Sequence, residues 1–457
     1  MSTSGINLNS VLSALGSSSS GINVAAAVAQ AIAALSIPEQ QWQSQQQTLQ
    51  GDTTTINQIQ SDVSSLETSL NALGDPLGAL AGMIVTSSDT NVVNATAAAG
   101  TPAGSHVVIV NNIASTASWY SDSVATSSTN LAPGSFTIQV GSGAATQVTI
   151  GSGVNTLDQL ASYINTQHLG VTASVVNDST GSRLALVSNA SGSANGFTIS
   201  AASGLTFTQA SAGQDAALTV DGIPIDSGSN TVTGAVSGLT LNLVGAAPGG
   251  QINVTISPDT SSAAQAIAKF VGAYNTAIGD VNSQYTVGAT NQEGPLSGDA
   301  AVRMLQDTLL SAASYSGGGN GVSILADLGI TMNNDGTLSL DTTTLTNTIQ
   351  NNFTAVQNFM QGASSNGFVT NLNNQLSSLT DPTSGAFTID LQSISAENKD
   401  LQTQINNFQA YLSTQQTLLT AEYSQADITL QQLPSLQAQI NAELGYQPSG
   451  SSSTSIP

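Results

Sequence analysis

The sequence predicts an α+β fold, in which long terminal helices form a coiled-coil stalk and a β-rich head of one or two domains is inserted between them. Three observations carry this. Apolar residues recur every seven positions near both ends of the chain, and between the ends the period changes to two. The stretch from Gly385 to Gly445 also lacks glycine, in a chain of 457 residues that otherwise holds 43. At roughly 150 residues per domain the length suggests about three domains.

Residues 1–37 read as a flexible N-terminal tail, since Gly5, Gly16, Gly21 and the serines between them favour no stable element. The apolar run Val24–Ile37 stops at Pro38 and is too short to span a bilayer. No Lys or Arg precedes Arg183, so no Sec-type signal is expected. Residues 38–85 then form an N-terminal leg helix. Trp42, Leu49, Ile56, Val63 and Leu70 fall seven apart, Ile59, Leu66 and Leu73 add the offset positions, and Gly74–Asp75–Pro76 ends the helix. From Glu39 to Leu73 this helix would run roughly 50 Å.

From Asp89 to Ser257 short half-buried strands follow, such as Phe136–Ile138–Val140, Leu184–Leu186 and Ile252–Val254–Ile256, with uncharged polar residues in the alternate places. They divide into a first head segment (86–130), an inserted outer β domain (131–214) and a second head segment (215–258). One amphipathic helix interrupts them at Thr156–Thr166, with a capping-box-like Thr156…Gln159 start. Residues 259–384 read as a helical stalk domain, with helices at Ala263–Ser283, Gly298–Ser314 and Thr343–Met360. A hairpin at Ile330–Leu340 turns on Asn334–Asp335–Gly336. Gly317–Gly321 reads as a flexible connector.

A C-terminal leg helix occupies 385–445, with a disordered tail at 446–457. Leu391, Ile405, Leu412, Leu419, Leu433 and Ile440 keep the heptad spacing, Leu401 and Phe408 supply offset positions, and Pro434 should kink or end the helix. The two legs most simply lie side by side, with Ile405 and Phe408 opposite Ile56 and Ile59. The seam expected to carry self-assembly is therefore Leu49, Ile56, Ile59, Val63, Leu66 and Leu70 on the first leg. On the second it is Leu401, Ile405, Phe408, Leu412 and Leu419.

Charge restricts function. Four Lys or Arg stand against 27 Asp or Glu, a net charge of −23, and charged residues make up 7% of the chain where roughly 25% is ordinary. Nucleic acid and anionic membrane surfaces are poor partners for such a chain. The absence of Cys removes disulfides, thiolate metal sites and cysteine nucleophiles together. His106 and His168 have no carboxylate or second His at ligand spacing and read as surface residues. Asn333–Gly336 resembles the middle of a calcium loop, but Thr331 and Thr342 occupy the positions that need Asp and Glu, so it reads as a turn. No catalytic, cofactor-binding or metal residues, and no cofactor, are expected.

Lys269–Asn275, Gly294-Pro295-Leu296-Ser297-Gly298-Asp299, Leu328-Gly329-Ile330 and Asp335–Asp341 follow one another in an order that resembles the bacterial flagellar filament cap family, also called flagellar hook-associated cap proteins. Asp221-Gly222, Ser229–Val232 and Gly238–Leu241 fit it upstream. Thr156-Leu157, Ile164-Asn165, Gly170–Ala173 and Leu184…Ser188 resemble the repeat shared by flagellins and hook proteins. The resemblance runs over most of residues 40–440. It implies a non-enzymatic ring of copies at the filament tip, with heads forming a plate, legs descending into the filament, and arriving flagellin held while it folds. It also implies export by the flagellar apparatus without a Sec signal peptide, with itself, flagellin and a flagellar export chaperone as partners. The Gln- and Asn-rich legs depart from the salt bridges expected of relatives. A rival reading is an extracellular adhesin or surface-layer protein that binds through its β head, and a third is a secreted hydrolase.

Overall fold

The computed structural model describes residues 23–200, 203–287, 294–319, 321–362 and 366–444. The tail expected over 446–457, and most of that expected over 1–37, lies outside these residues. The remainder of the N-terminal tail is not flexible but helical: α1 spans Val24–Leu35. Asn23 starts it by accepting a hydrogen bond from the Ala26 backbone N–H at 3.1 Å, and the Ala-rich run buries Val28. The chain bends at Ser36 and enters α2, Ile37–Gly74, with Pro38 in the first turn, where its missing N–H costs nothing.

The heads come next. Strands β1 (Met83–Ser87), β2 (Val93–Ala97) and β3 (Gly104–Asn112) begin an inner head. The chain then leaves it for an outer head with β4 (Ser118–Ser121), β5 (Gly134–Val140), β6 (Thr146–Ile150), helix α3 (Leu157–Thr166), β7 (Val171–Asp178), β8 (Gly181–Ser188), β9 (Phe197–Ser200) and β10 (Phe207–Ser211). It returns with β11 (Ala216–Val220), β12 (Ile223–Ser227), β13 (Thr231–Val236), β14 (Leu239–Leu243) and β15 (Ile252–Pro258). The inner head packs the sheet β1-β15-β3-β11-β12 against β13-β14-β2 around Val93, Val108, Leu241 and Val254. The outer head packs β10-β4-β8-β7 and β6-β5-β9 with α3 around Phe136, Leu160, Ile164 and Leu186. Every paired strand is antiparallel, and the inward faces alternate as the period of two required.

The first head boundary falls near Ser115 rather than 130. Trp119 and Ala117 belong to the outer core because β4 pairs with β8 and β10, although a long loop follows it. Thr156 caps α3 by accepting from the Gln159 N–H at 3.3 Å, but Gln159 answers to the Asn155 N–H, so the capping box is open by one residue.

The helical body follows. It comprises α4 (Thr260–Tyr285), α5 (Ala300–Ala313), hairpins β16–β17 (Ser316–Gly319, Val322–Ile324) and β18–β19 (Ile330–Met332, Leu338–Leu340), α6 (Thr342–Gln361) and α7 (Phe368–Thr380). Asp259, Asp299 and Asp341 cap α4, α5 and α6 by accepting first-turn backbone N–H bonds at 2.9 Å, which explains why these acids stand alone in the sequence. The glycine stretch read as a connector contributes β16 instead, and α7 was not foreseen. Helix α6 carries a break in its dihedral angles at Asn352. The body core joins Phe270, Phe359, Phe368 and Phe387, with Phe359 stacked on Phe368 at 5.9 Å.

Helix α8, Ala386–Glu443, closes the chain with 58 residues. Pro434 neither ends nor interrupts it. The Leu430 carbonyl that loses its donor there lies on an exposed stretch, where water can serve it.

Candidate assembly surface of the helical leg

Helix α8 runs antiparallel to α2, and α1 continues the contact further along it. The register follows from polar pairs. Gln45 Nε2 donates to Glu397 at 2.8 Å, Gln46 Nε2 to the Asn398 carbonyl at 3.3 Å, and Gln409 Nε2 to Glu39 at 2.6 Å. Between these rungs Trp42 meets Phe408 edge-on, with ring centroids 5.3 Å apart, and Phe408 stacks on Tyr411 at 5.7 Å. Leu49, Leu401, Ile405 and Leu412 are buried beside them, whereas Phe408 and Leu419 are half-buried.

This register corrects the expected one: Ile405 and Phe408 do not face Ile56 and Ile59. Antiparallel helices rising equally per residue place position 42 opposite 408, and so carry positions 56–70 past the leg and into the body. There Ile56, Ile59, Val63, Leu66 and Leu70 are fully enclosed with Phe270, Leu372 and Phe387. One heptad row thus does two jobs: its lower end is leg and its upper end is body core. A heptad reports that a seam exists but not which partner fills it. Trp42, counted in the heptad but left out of the expected seam, is its aromatic anchor. Beyond Leu419 the row of α8 goes on uncovered, with Leu433, Leu436 and Ile440 about half exposed.

Amide groups replace ion pairs throughout the leg, as its composition implied. Among the described residues the ion pairs are His106–Asp221 (2.7 Å) and Arg183–Asp178 (2.8 Å), both in the heads. His106 therefore does have a carboxylate partner, brought from the β11–β12 turn where no local spacing could show it. The hydrogen bond from His106, then that from the Val107 N–H, lowers the Asp221 carboxyl. The Asp178 carboxyl falls to about 2, chiefly through Thr180 and then Arg183. Asn333–Gly336 is the turn between β18 and β19: the Asn333 N–H donates to the Thr337 carbonyl at 2.8 Å, and Asp335 accepts from Thr337 Oγ1 at 2.6 Å. No group of three or more His, Asp or Glu among the described residues is placed to hold a metal ion. No described helix is long and apolar enough to cross a membrane.

A helical body with a long two-helix leg, bearing β heads nested one inside the other, is the build of a structural assembly subunit. Its organised surface among the described residues is the leg. Residues 20–117 match the family described as flagellar hook-associated protein 2 N-terminus, residues 213–435 its C-terminus, and residues 135–190 the flagellin hook IN motif. B-type flagellar hook-associated protein 2 of Pseudomonas aeruginosa is 28% identical over 417 residues, covering 82% of this chain and 87% of that protein. Flagellar hook-associated protein 2 of Escherichia coli is 29% identical over 329 residues, covering 64% and 69%. The D1-D2-D3 domains of the flagellar cap protein FliD from Escherichia coli superpose with a TM-score of 0.60 at 27% identity, over 75% of this chain and 99% of that one. The chain belongs to the flagellar hook-associated protein 2 family.

Proposed function

We propose that this chain is the structural cap at the distal end of a bacterial flagellar filament. Copies assemble into a ring, heads outward and legs toward the filament, and the ring promotes folding and polymerisation of exported flagellin. The cap role follows from family membership. The observation that carries it is the match of both ends of the chain to the two halves of one family, with the leg built from those same ends. The ring, the hold on flagellin, passage through the flagellar export apparatus with an export chaperone, and the lack of catalysis are the finer parts of the proposal. Half-exposed Leu433, Leu436 and Ile440 support self-assembly, because a row of this kind is unfavourable to leave in water. The family and the relatives above are flagellar throughout, which leaves the adhesin reading without support.

The test is a cell lacking this chain. It should release flagellin into the medium and carry no filaments, and adding the purified protein should restore growth at the tip. Light scattering should give a mass well above the 45.9 kDa of one chain. Filaments of ordinary length in the deficient cell would overturn the proposal.

A further inference from the structure

Three asparagines repeat one geometry. Asn165, one residue from the end of α3, donates from Nδ2 to the Ala173 carbonyl at 2.9 Å and accepts from the Ala173 N–H at 2.8 Å. Asn230 holds both backbone groups of Ala114 in this way, at 3.0 and 2.7 Å, and Asn275 of α4 holds those of Leu338, at 2.8 and 2.6 Å. A carboxamide carries the donor and the acceptor of a peptide group. Each of these side chains therefore makes the two bonds that a residue of a neighbouring antiparallel strand would make. Their settings differ. Ala114 follows the end of β3, and Leu338 lies on β19, which packs against α4. Ala173 lies on β7, the last strand of the sheet β10-β4-β8-β7, and Asn165 itself is exposed.

Strand β7 is an edge that invites a further strand. All eight of its residues pair with β8, it holds no Lys, Arg or Pro, and Val176 is half exposed. Other edges are guarded by Pro224 in β12 and by register shifts in β10 and β13. Basic guards are scarce in a chain with four Lys or Arg. Alternate residues of a strand turn their backbone groups to the same side, so Val171, Val175 and Asn177 share the open side with Ala173. Occupying Ala173 leaves Val175 and Asn177 as the longest free run. We propose that Asn165 seals the edge of β7 against strand addition. Its carboxamide takes the place of the incoming strand, and without it the edge accepts an extended, uncharged polypeptide. The need for a seal rests on the function proposed above, since a cap that promotes flagellin folding meets extended chain, but the seal itself is tested without it.

The probe is a fluorescent peptide with the sequence of β8, Gly181–Ser188, the strand that β7 already pairs with. It is added to the full chain and followed by anisotropy. Asn165→Ala, a change that favours the helix, should bind it at least about tenfold more tightly than the unmodified chain, because both edge groups of Ala173 become free. Asn275→Ala breaks the same two bonds where α4 lies against the strand, and should lower the thermal midpoint without capturing the peptide. Hydrogen exchange in the unmodified protein needs no variant: the Ala173 amide should exchange as slowly as the amides bonded between β7 and β8. Equal binding by the unmodified chain and a folded Asn165→Ala, or equal binding by the two variants, would overturn the seal. So would an Ala173 amide that exchanges as fast as those of the β7–β8 turn. If the expected results hold while cells lacking the chain still build filaments, the seal stands and the cap reading falls.

Discussion

Replacing Phe408 with Asp tests whether the lower leg is a separate docking unit. Removing a fully buried Phe costs about 3–5 kcal/mol, and Phe408 is half-buried, so about 2 kcal/mol is lost with its side chain. That figure includes its edge-on contact with Trp42, since aromatic pairs contribute about 0.5–1.5 kcal/mol. The new carboxylate sits beside Gln409, which is bonded to Glu39, and a like charge at the surface adds about 1 kcal/mol. The sum, about 3 kcal/mol, lowers the docking equilibrium constant of the leg by more than about a hundredfold. The chain holds two Trp, Trp42 in the leg and Trp119 in the outer head, so in a Trp119→Phe background fluorescence reports on the leg alone. Urea unfolding followed by Trp42 should move to markedly lower denaturant, while the 222 nm signal of the body keeps its midpoint, because Ile56–Leu70 and Phe387 form a different core. A Trp42 transition with the parental midpoint refutes this reasoning. So does a body that unfolds together with the leg.

Three further outcomes follow from the same geometry. A fragment of residues 83–258 should be soluble and β-rich by circular dichroism, and an unfolded fragment would show that the heads lean on the body. Its Asp178, Asp215 and Asp221 carboxyls are held low by hydrogen bonds, so their contribution is present above the unfolded value near 3.8. The fragment's thermal midpoint should accordingly drop as pH falls below about 4. Gly336→Val places a Cβ 2.9 Å from Leu310 Cδ2 at a backbone φ of +81°, and should destabilise the body by about 1–3 kcal/mol in urea unfolding. An unchanged midpoint would mean the turn relaxes freely.

Periodicity made the long helices and many of the strands legible, because a period of 3.5 or 2 states directly which side of an element is buried. Trp42 to Leu70 showed a seam, and the Asn334–Asp335–Gly336 turn showed its hairpin. What periodicity could not supply was partnership. Whether Ile59 meets Ile405 or Phe270 depends on where the body interrupts the leg, and nothing local records that. His106 lies on β3 and Asp221 in the β11–β12 turn, while Ser118 and Val187 lie on separate strands, and such pairs become neighbours only through sheet register. Helix α1 was missed for a related reason. Its run is mostly Ala and Val, good helix-forming composition capped by Asn23, but with no polar face it shows no helical period, and it packs against α8.

The two necks explain how one chain carries three cores. Where body meets inner head, the Asp259 N–H donates to the Gly82 carbonyl at 2.8 Å. Where inner meets outer head, Ser115 and Gln214 exchange both backbone hydrogen bonds, at 2.9 and 3.1 Å. Each head is thus a closed excursion: the chain departs and returns through adjacent residues, so the core beneath does not register how far it travelled. The family match follows the same division, with its N-terminal part stopping at residue 117 and its C-terminal part resuming at 213, on either side of the outer neck. What those two parts share is the leg, the body and the inner head. The outer head, with its hook IN motif at 135–190, lies between these two parts. The outer neck is braced beside this pair by Ser191 Oγ, which donates to the Gly228 carbonyl at 2.8 Å, and by Ser193, whose N–H and hydroxyl donate to the Asp215 carboxylate at 2.7 and 2.8 Å, while the leg is fixed along its length by Trp42, Phe408 and the amide rungs. Helix packing therefore orders the leg, and hydrogen bonds converging on Ser115, Asp215 and Gly228 order the outer neck.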